Sequence, residues 1–139
     1  MLKPSAKNIP SLKPNSILSN FSAFIPPIAW AALIFFLSSQ QTLPAPSVTA
    51  LDYLFKKSAH IFVYFVLCWL VQNSLHKVSS TMPSKIFATS FFICLLYALS
   101  DEYHQSFTPG RFASLYDVGY DMIGASLAIV VRSHMIKQS

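Results

Sequence analysis

Four long apolar runs, separated by short polar or proline-containing connections, dominate the pattern of this chain. The runs are about Phe21–Ser39, Ala59–Leu75, Ile86–Ser100 and Leu115–Val131. A helix that crosses the hydrocarbon core of a bilayer needs about 20 residues, and the last two runs are slightly short by hydropathy alone. They become long enough if Asp101–Gln105 and Asp117–Asp121 are also helical and face other protein groups. The pattern therefore predicts an all-α, polytopic bundle of four transmembrane helices.

The connections contain residues that are typical of turns and helix ends. Chain-breaking residues occur at Leu43–Pro46, Thr81–Pro83 and Thr108–Gly110. The segment Ser47–Lys57 is predicted to begin an interfacial helix that leads into the second apolar run. Ser114, with Asp117 three residues later, resembles a capping box and predicts the start of the fourth helix.

Composition supports a lipid environment. The chain has 139 residues, is 53% hydrophobic and 11% charged, and has a mean hydropathy of +0.48. A soluble domain of this size could not bury so much apolar surface, because small domains hide only a limited fraction of their area. The net charge of +5 comes from bases scattered near the ends of the apolar runs, which indicates membrane orientation rather than a nucleic-acid partner. Cys68 and Cys94 lie inside apolar runs and are predicted to be buried free thiols.

Lysine and arginine predict the orientation, because cytoplasmic loops of membrane proteins are enriched in them. Seven of the ten lie in the N-terminal tail, the second loop or the C-terminal tail, whereas the first and third loops carry Lys56, Lys57 and Arg111. Both termini are therefore expected in the cytoplasm. The predicted organisation is a flexible cytoplasmic tail at 1–20, a membrane domain at 21–131 and a cytoplasmic C-terminal tail at 132–139. QQTLPAP after the first run weakly resembles a signal-peptide cleavage site, which leaves cleavage as an alternative.

Ionisable groups are concentrated between two apolar runs, from Ser100 to Gly124. This stretch holds four of the five acidic residues, together with His104 and Arg111. Polar groups at membrane depth are costly, so they tend to be paired, inward-facing and functional. Helical spacing places the unusual residues on single faces of three helices, at the same end of the bundle. These faces are Lys57, His60 and Tyr64; Asp101, His104 and Gln105, with Glu102 alongside; and Asp117, Asp121 and Gly124.

Each residue also has a plainer interpretation. Asp117 suits the positive end of a helix dipole, and Arg111 and Lys57 would neutralise acids in a structural ion network. His60 alone is more often a hydrogen-bonded histidine of the bundle. Three chemistries fit the whole group: acid–base catalysis by carboxylate and histidine, binding of a divalent metal, and binding of an anionic head group. No strict metal-ligand spacing is present, so no metal and no cofactor are expected.

The polar string resembles the signature of the VanZ-like membrane proteins, a family named for a teicoplanin-resistance protein. The matching elements are Asp101-Glu102-x-His104-Gln105, Pro109-Gly110-Arg111, Ser114, Asp117, Asp121 and Gly124, preceded by Trp30, Ser38-Ser39-Gln40 and Lys57-x-x-His60. The match covers most of residues 24–131. Asp121 is a departure, since the family pattern more usually has asparagine there, and the change adds a negative charge.

The resemblance implies a small multi-helix protein of the bacterial inner membrane, with a link to glycopeptide resistance but no settled reaction. We expect an outward-facing site that binds or processes an anionic, lipid-linked envelope component, and whether it is an enzyme stays open. Lys57 and Arg111 would hold the anion, and His104 with Glu102 would be the acid–base pair. The expected catalytic residues are Glu102, His104, Asp101 and His60, and the expected binding residues are Lys57, Arg111, Gln105, Asp117 and Asp121. The alternative is a non-enzymatic protein whose polar cluster is an ion-pair lock, a partner interface or an ion pathway.

Overall fold

The computed structural model describes residues 20–40 and 50–138, and the part it describes is helical with no strand. A helical turn at 20–23 precedes the first long helix. The four long helices are α1 (Ile25–Ser38), α2 (Ala50–Val78), α3 (Pro83–Gln105) and α4 (Leu115–Gln138). The prediction of an all-α fold is confirmed.

Three segments are long and apolar enough to cross a membrane: Asn20–Ser38, Ala50–Val78 and Pro83–Gln105. Their outer faces carry many exposed large hydrophobic side chains, such as Ile28, Phe62 and Leu96. In a small protein such an exposed apolar surface suits a lipid environment. Helix α4 is equally long but falls outside this group, so its crossing of the membrane stays a prediction.

The helices extend further than the apolar runs. Helix α2 begins at Ala50 and continues without interruption through Lys57, so the described part of the predicted interfacial segment belongs to the same helix. Helix α3 includes Asp101–Gln105, and α4 includes Asp117–Asp121, as the length argument requires. Helix α4 also continues through Arg132–Gln138, within the segment predicted to be a tail. The predicted N-terminal tail and the break at 43–46 lie outside the described residues.

Helices α2 and α4 pack closely around a glycine. A Cβ atom at Gly124 would lie 2.9 Å from the carbonyl carbon of Ile61 and 3.0 Å from the backbone nitrogen of Phe65. Ala125 and Ala128 complete the small-residue face and are fully buried. Small residues let two helix backbones approach when lipid offers no hydrophobic drive for association. Gly124 therefore lets α4 pack closely against α2 of the same chain.

Helix α1 is joined to the bundle by hydrogen bonds to backbone carbonyls. The Trp30 indole Nε1 donates to Val63 O of α2 at 2.9 Å, and the Tyr97 hydroxyl of α3 donates to Ala31 O at 2.6 Å. Below them, Cys68 and Cys94 lie fully buried as free thiols in the core, as predicted.

The loop between α3 and α4 contains the predicted turn at Thr108. Arg111 N–H donates to Thr108 O at 3.1 Å, with Pro109 and Gly110 between them and a φ of 80° at Gly110. A type II turn needs a positive φ at its third residue and favours proline at its second. This turn leads the chain back over the end of α1 and sets the position of Arg111.

Candidate functional site

A cavity of about 690 Å³ opens at the end of the bundle where α1 and α3 end and α2 and α4 begin. Helix α1, α2, α3, the α3–α4 loop and the first turn of α4 all contribute to its wall. Its volume lies within the roughly 300–1,000 Å³ that is usual for small-molecule sites. Six of the nine predicted site residues line it: Lys57, His60, Asp101, Gln105, Arg111 and Asp117.

Asp101 joins α1 to α3 at the wall of the cavity. The Ser38 hydroxyl donates to its Oδ1 at 2.6 Å, and Gln105 Nε2 donates to its Oδ2 at 3.0 Å. Asp101 and Gln105 are both buried, so each oxygen of the carboxylate has exchanged water for a protein donor. The i, i+4 spacing of Asp101 and Gln105 on α3 makes this arrangement local to one helix face.

Two acid–base pairs join α2 to α4. Lys57 Nζ forms an ion pair with Asp117 and lies over the Tyr53 ring, 5.2 Å from its centroid. One turn further along both helices, His60 Nδ1 and Asp121 Oδ1 are 2.9 Å apart, and Asp121 is 1% exposed. His60 lines the cavity, and its other ring nitrogen makes no hydrogen bond among the residues that the structure describes.

Arg111 is held by neutral acceptors. Its Nε donates to Gln40 O at 3.0 Å, its Nη1 to Gln105 Oε1 at 3.2 Å and its Nη2 to Leu37 O at 3.4 Å. Within residues 20–40 and 50–138, no carboxylate lies within ion-pair distance of it. A guanidinium has five N–H donors. Among the described residues, Arg111 therefore has no carboxylate partner and has two N–H donors that are not used, at the wall of the cavity.

Glu102 binds the backbone at the start of α4. Its Oε2 accepts the Ser114 backbone N–H at 2.7 Å, which places a carboxylate at the N-terminus of α4. A capping box would have given this N–H to Asp117, which instead pairs with Lys57, so that detail of the prediction is wrong. The start of α4 after Ser114 is confirmed. The second Glu102 oxygen is buried and has no hydrogen-bond partner in the described part of the chain.

His104 lies on the side of α3 that faces α1. Its ring stacks on Phe35 with centroids 4.2 Å apart, and it is not among the residues that line the cavity. No hydrogen bond joins it to Glu102 or Asp101 among the described residues, and its Nδ1 is buried without a partner there. The acid–base pairing of His104 with Glu102 therefore stays a prediction.

Comparison with known proteins assigns the chain to a family. The family model described as VanZ/LLP1 matches residues 4–136. The chain belongs to the VanZ/LLP1 family. No curated protein sequence and no solved structure is similar enough to count as a match.

The lining of this VanZ/LLP1 cavity also includes residues that were not predicted as site residues, among them Ser38 and Lys56. Ser38 supplies the hydroxyl that binds Asp101, and Lys56 lines the cavity beside Lys57. Ser38 stood in the family motif at the end of the first helix, and its position after an apolar run was the signal that could have identified it. Lys56 carries no such signal, because a lysine at a helix start is usually an exposed charge.

The carboxylates of the site are distributed over separate contacts. Among the described residues, no group of three or more histidine, cysteine, aspartate or glutamate side chains is placed to hold a metal ion. The cavity lining contains three cationic side chains, Arg111, Lys56 and Lys57, and two carboxylates that already have partners.

Proposed function

We propose that this VanZ/LLP1 protein binds an anionic, lipid-linked component of the cell envelope at the cavity. The observation that carries the proposal is Arg111, a cation fixed at the cavity wall by three neutral acceptors and facing no carboxylate among the described residues. A planar guanidinium with spare donors suits a carboxylate or phosphate, which it can bind through two parallel hydrogen bonds.

The charge balance of the lining supports an anion. Lys56, Lys57 and Arg111 are cationic, whereas Asp101 and Asp117 are the two carboxylates of the lining. Asp117 is already paired with Lys57, and both oxygens of Asp101 accept protein donors. An incoming anion therefore gains a favourable field without displacing a carboxylate.

The catalytic part of this proposal depends on His60. His60 is the proton-transfer candidate at the cavity, since Asp121 holds its Nδ1 and leaves Nε2 for a ligand. A carboxylate that orients a histidine through one ring nitrogen is a recurring arrangement for acid–base work. Glu102 and His104 remain candidates that would need a rearrangement to meet. Replacement of His60 by glutamine, with envelope-lipid profiles compared, tests for processing, and unchanged profiles with intact binding indicate a binding protein.

The proposed topology has four membrane crossings, both termini in the cytoplasm and the cavity at the outer surface of the bacterial inner membrane. It is supported by the concentration of lysine and arginine at the opposite end of the bundle, including Lys77, Lys85 and Arg132. A fluorescent reporter that matures only in the cytoplasm, fused after residue 139, should be active. A silent C-terminal fusion and an active fusion in the α3–α4 loop would reverse the orientation.

The binding test compares two cations at opposite ends of the bundle. Arg111→Gln removes the charge at the cavity, whereas Lys85→Gln removes an exposed charge near the start of α3. A hydrogen bond to a charged group is worth about 1.5–3 kcal/mol, so Arg111→Gln should weaken binding of a phosphate monoester about 10- to 100-fold. Calorimetry of the purified protein in an uncharged detergent measures it. Equal affinities for wild type and both variants would refute the anion site.

A second candidate function is a structural lock. Ser38–Asp101, Lys57–Asp117 and His60–Asp121 each join two different helices. If the cluster only holds helices together, Asp101→Asn and Asp121→Asn will lower stability with no change in phosphate binding. A teicoplanin-susceptibility assay of cells that express wild type or Arg111→Gln tests the link to glycopeptide resistance, which is expected only if the anion site acts on the envelope.

A further inference from the structure

The cavity is lined by apolar side chains as well as by charged ones. Its apolar lining comes mainly from two helices, with Ile34 and Leu37 on α1 and Phe55, Ala59 and Val63 on α2. Val63 lies six residues beyond Lys57 on α2, which corresponds to about 9 Å along a helix. Phe55 precedes Lys57 and lines the charged end. The wall thus changes from charged to hydrocarbon within one continuous space.

This apolar part is open to the side of the bundle. Leu37, Phe55 and Ala59 are exposed although they line the cavity. Both helices belong to segments that are long and apolar enough to cross a membrane, so in a bilayer this side of the bundle would face lipid. The hydrogen bond from Trp30 Nε1 to Val63 O, 2.9 Å long, joins α1 and α2 at the end of the cavity that is farther from the charges.

Resting on the proposed anion site, we propose that the ligand enters laterally from the bilayer between α1 and α2. The ligand is an amphiphile whose phosphate or carboxylate group meets Arg111 and whose hydrocarbon chain lies along Leu37, Ala59 and Val63. A free anion would use only the charged end and would leave the apolar lining in contact with other acyl chains. The ligand's hydrocarbon chain gains little free energy when it moves from lipid to an apolar protein wall. Its role is therefore to direct the head group to Arg111 and to exclude water around that group.

Ala59 is the position that tests this geometry. It is a small, exposed residue in the apolar wall, and Ala59→Phe would place a ring where the chain is proposed to lie. Ala88 is a matched control, since it is an exposed alanine on α3 outside the cavity lining. Trp30 is a native reporter beside Val63, and a Trp69→Phe background makes it the single tryptophan of the chain.

The experiment uses the full chain in phosphatidylcholine nanodiscs. An alkyl phosphate brominated at the end of its chain is titrated while Trp30 fluorescence is followed, and methyl phosphate binding is measured in parallel by calorimetry. We expect saturable quenching of Trp30, with a half-saturating concentration raised at least tenfold by Ala59→Phe and by Arg111→Gln but unchanged by Ala88→Phe. Methyl phosphate binding should be weakened by Arg111→Gln and unchanged by Ala88→Phe.

The outcomes separate this inference from the proposed function. The proposed entry between α1 and α2 is overturned if quenching rises linearly with bulk alkyl phosphate and is equal in Ala59→Phe and Ala88→Phe. This holds even if methyl phosphate still binds through Arg111. Loss of Arg111 dependence in both arms overturns the anion site itself. Circular dichroism checks the fold of each variant, and Ala59→Leu, a smaller obstruction with a smaller expected shift, replaces Ala59→Phe if that variant is misfolded.

Discussion

Substitution of Gly124 tests whether the close approach of α2 and α4 supports the polar end of the bundle. In Gly124→Ala, the new Cβ would clash first with the carbonyl oxygen of Ile61, and it would lie 2.9 Å from the carbonyl carbon of Ile61 and 3.0 Å from the nitrogen of Phe65. Carbon atoms in favourable contact are about 3.5–4.0 Å apart, so α2 and α4 must separate by roughly 1 Å. Both neighbours are backbone atoms, and neither can rotate away as a side chain would.

The separation acts on two polar contacts. Asp121 lies three residues before Gly124, so a shift of about 1 Å would take the 2.9 Å contact between His60 Nδ1 and Asp121 Oδ1 beyond hydrogen-bond range. The Lys57–Asp117 ion pair, one turn further, would also be stretched. Overpacking of a tight interface costs about 1–3 kcal/mol. The higher helix propensity of alanine offsets part of this, by up to about 1 kcal/mol.

Gly119 is the matched control on the same helix. A Cβ atom there would meet no atom within 4 Å, so Gly119→Ala receives the propensity gain without the clash. We expect Gly119→Ala to be neutral or stabilising, and Gly124→Ala to lower the free energy of unfolding by about 1–3 kcal/mol relative to wild type. Titration with a denaturing detergent, followed by circular dichroism, measures both. Equal stabilities for the two variants would refute the reasoning from close helix contact.

Three further changes have expected outcomes. Glu102→Ala should lower the free energy of unfolding by about 1–3 kcal/mol, because it leaves the Ser114 N–H without its acceptor. Glu102→Gln keeps an acceptor oxygen and should lower it less. An equal loss of stability in both variants would contradict a capping role. Trp30→Phe removes the indole donor to Val63 O and should lower the free energy of unfolding by about 1 kcal/mol in the same titration. An unchanged stability would show that this hydrogen bond does not help to hold α1 against α2. Cys68 and Cys94 should resist a maleimide reagent until the protein is denatured, since both are fully buried; labelling of the native protein at the rate of a free thiol would show that the core opens.

The sequence predicted the helices and the meeting of the polar residues well. Length and apolar runs determine where membrane helices lie, and short loops force alternate helix ends to the same side of a bundle. For that reason Lys57, Asp101 and Asp117, at three helix ends, were expected together, and the structure places them around one cavity. Helix α2 extends past its apolar run because nothing between Ala50 and Lys57 breaks a helix.

The partners of individual side chains could not be predicted in the same way. His104 was grouped with Asp101 because it lies three residues further along the helix. Three residues turn the helix by about 300°, which leaves His104 about 60° to one side of Asp101, whereas four residues place Gln105 about 40° to the other side. Gln105 and His104 therefore point to different sides, and His104 meets Phe35 of α1. Glu102 reaches Ser114 only because the turn at Gly110 brings the chain back, which no helical period describes.

The three hydrogen bonds of Arg111 have a mechanical consequence for the rim of the cavity. Two of them tie the α3–α4 loop to the Leu37 carbonyl of α1 and to the Gln40 carbonyl just beyond that helix. If the α3–α4 loop moves away from the cavity, the end of α1 must move with it or those hydrogen bonds must break. The loop and the end of α1 are therefore expected to move together. An anion that binds the Arg111 guanidinium would weaken its hydrogen bonds to these carbonyls. Binding of the anion would then shift the end of α1.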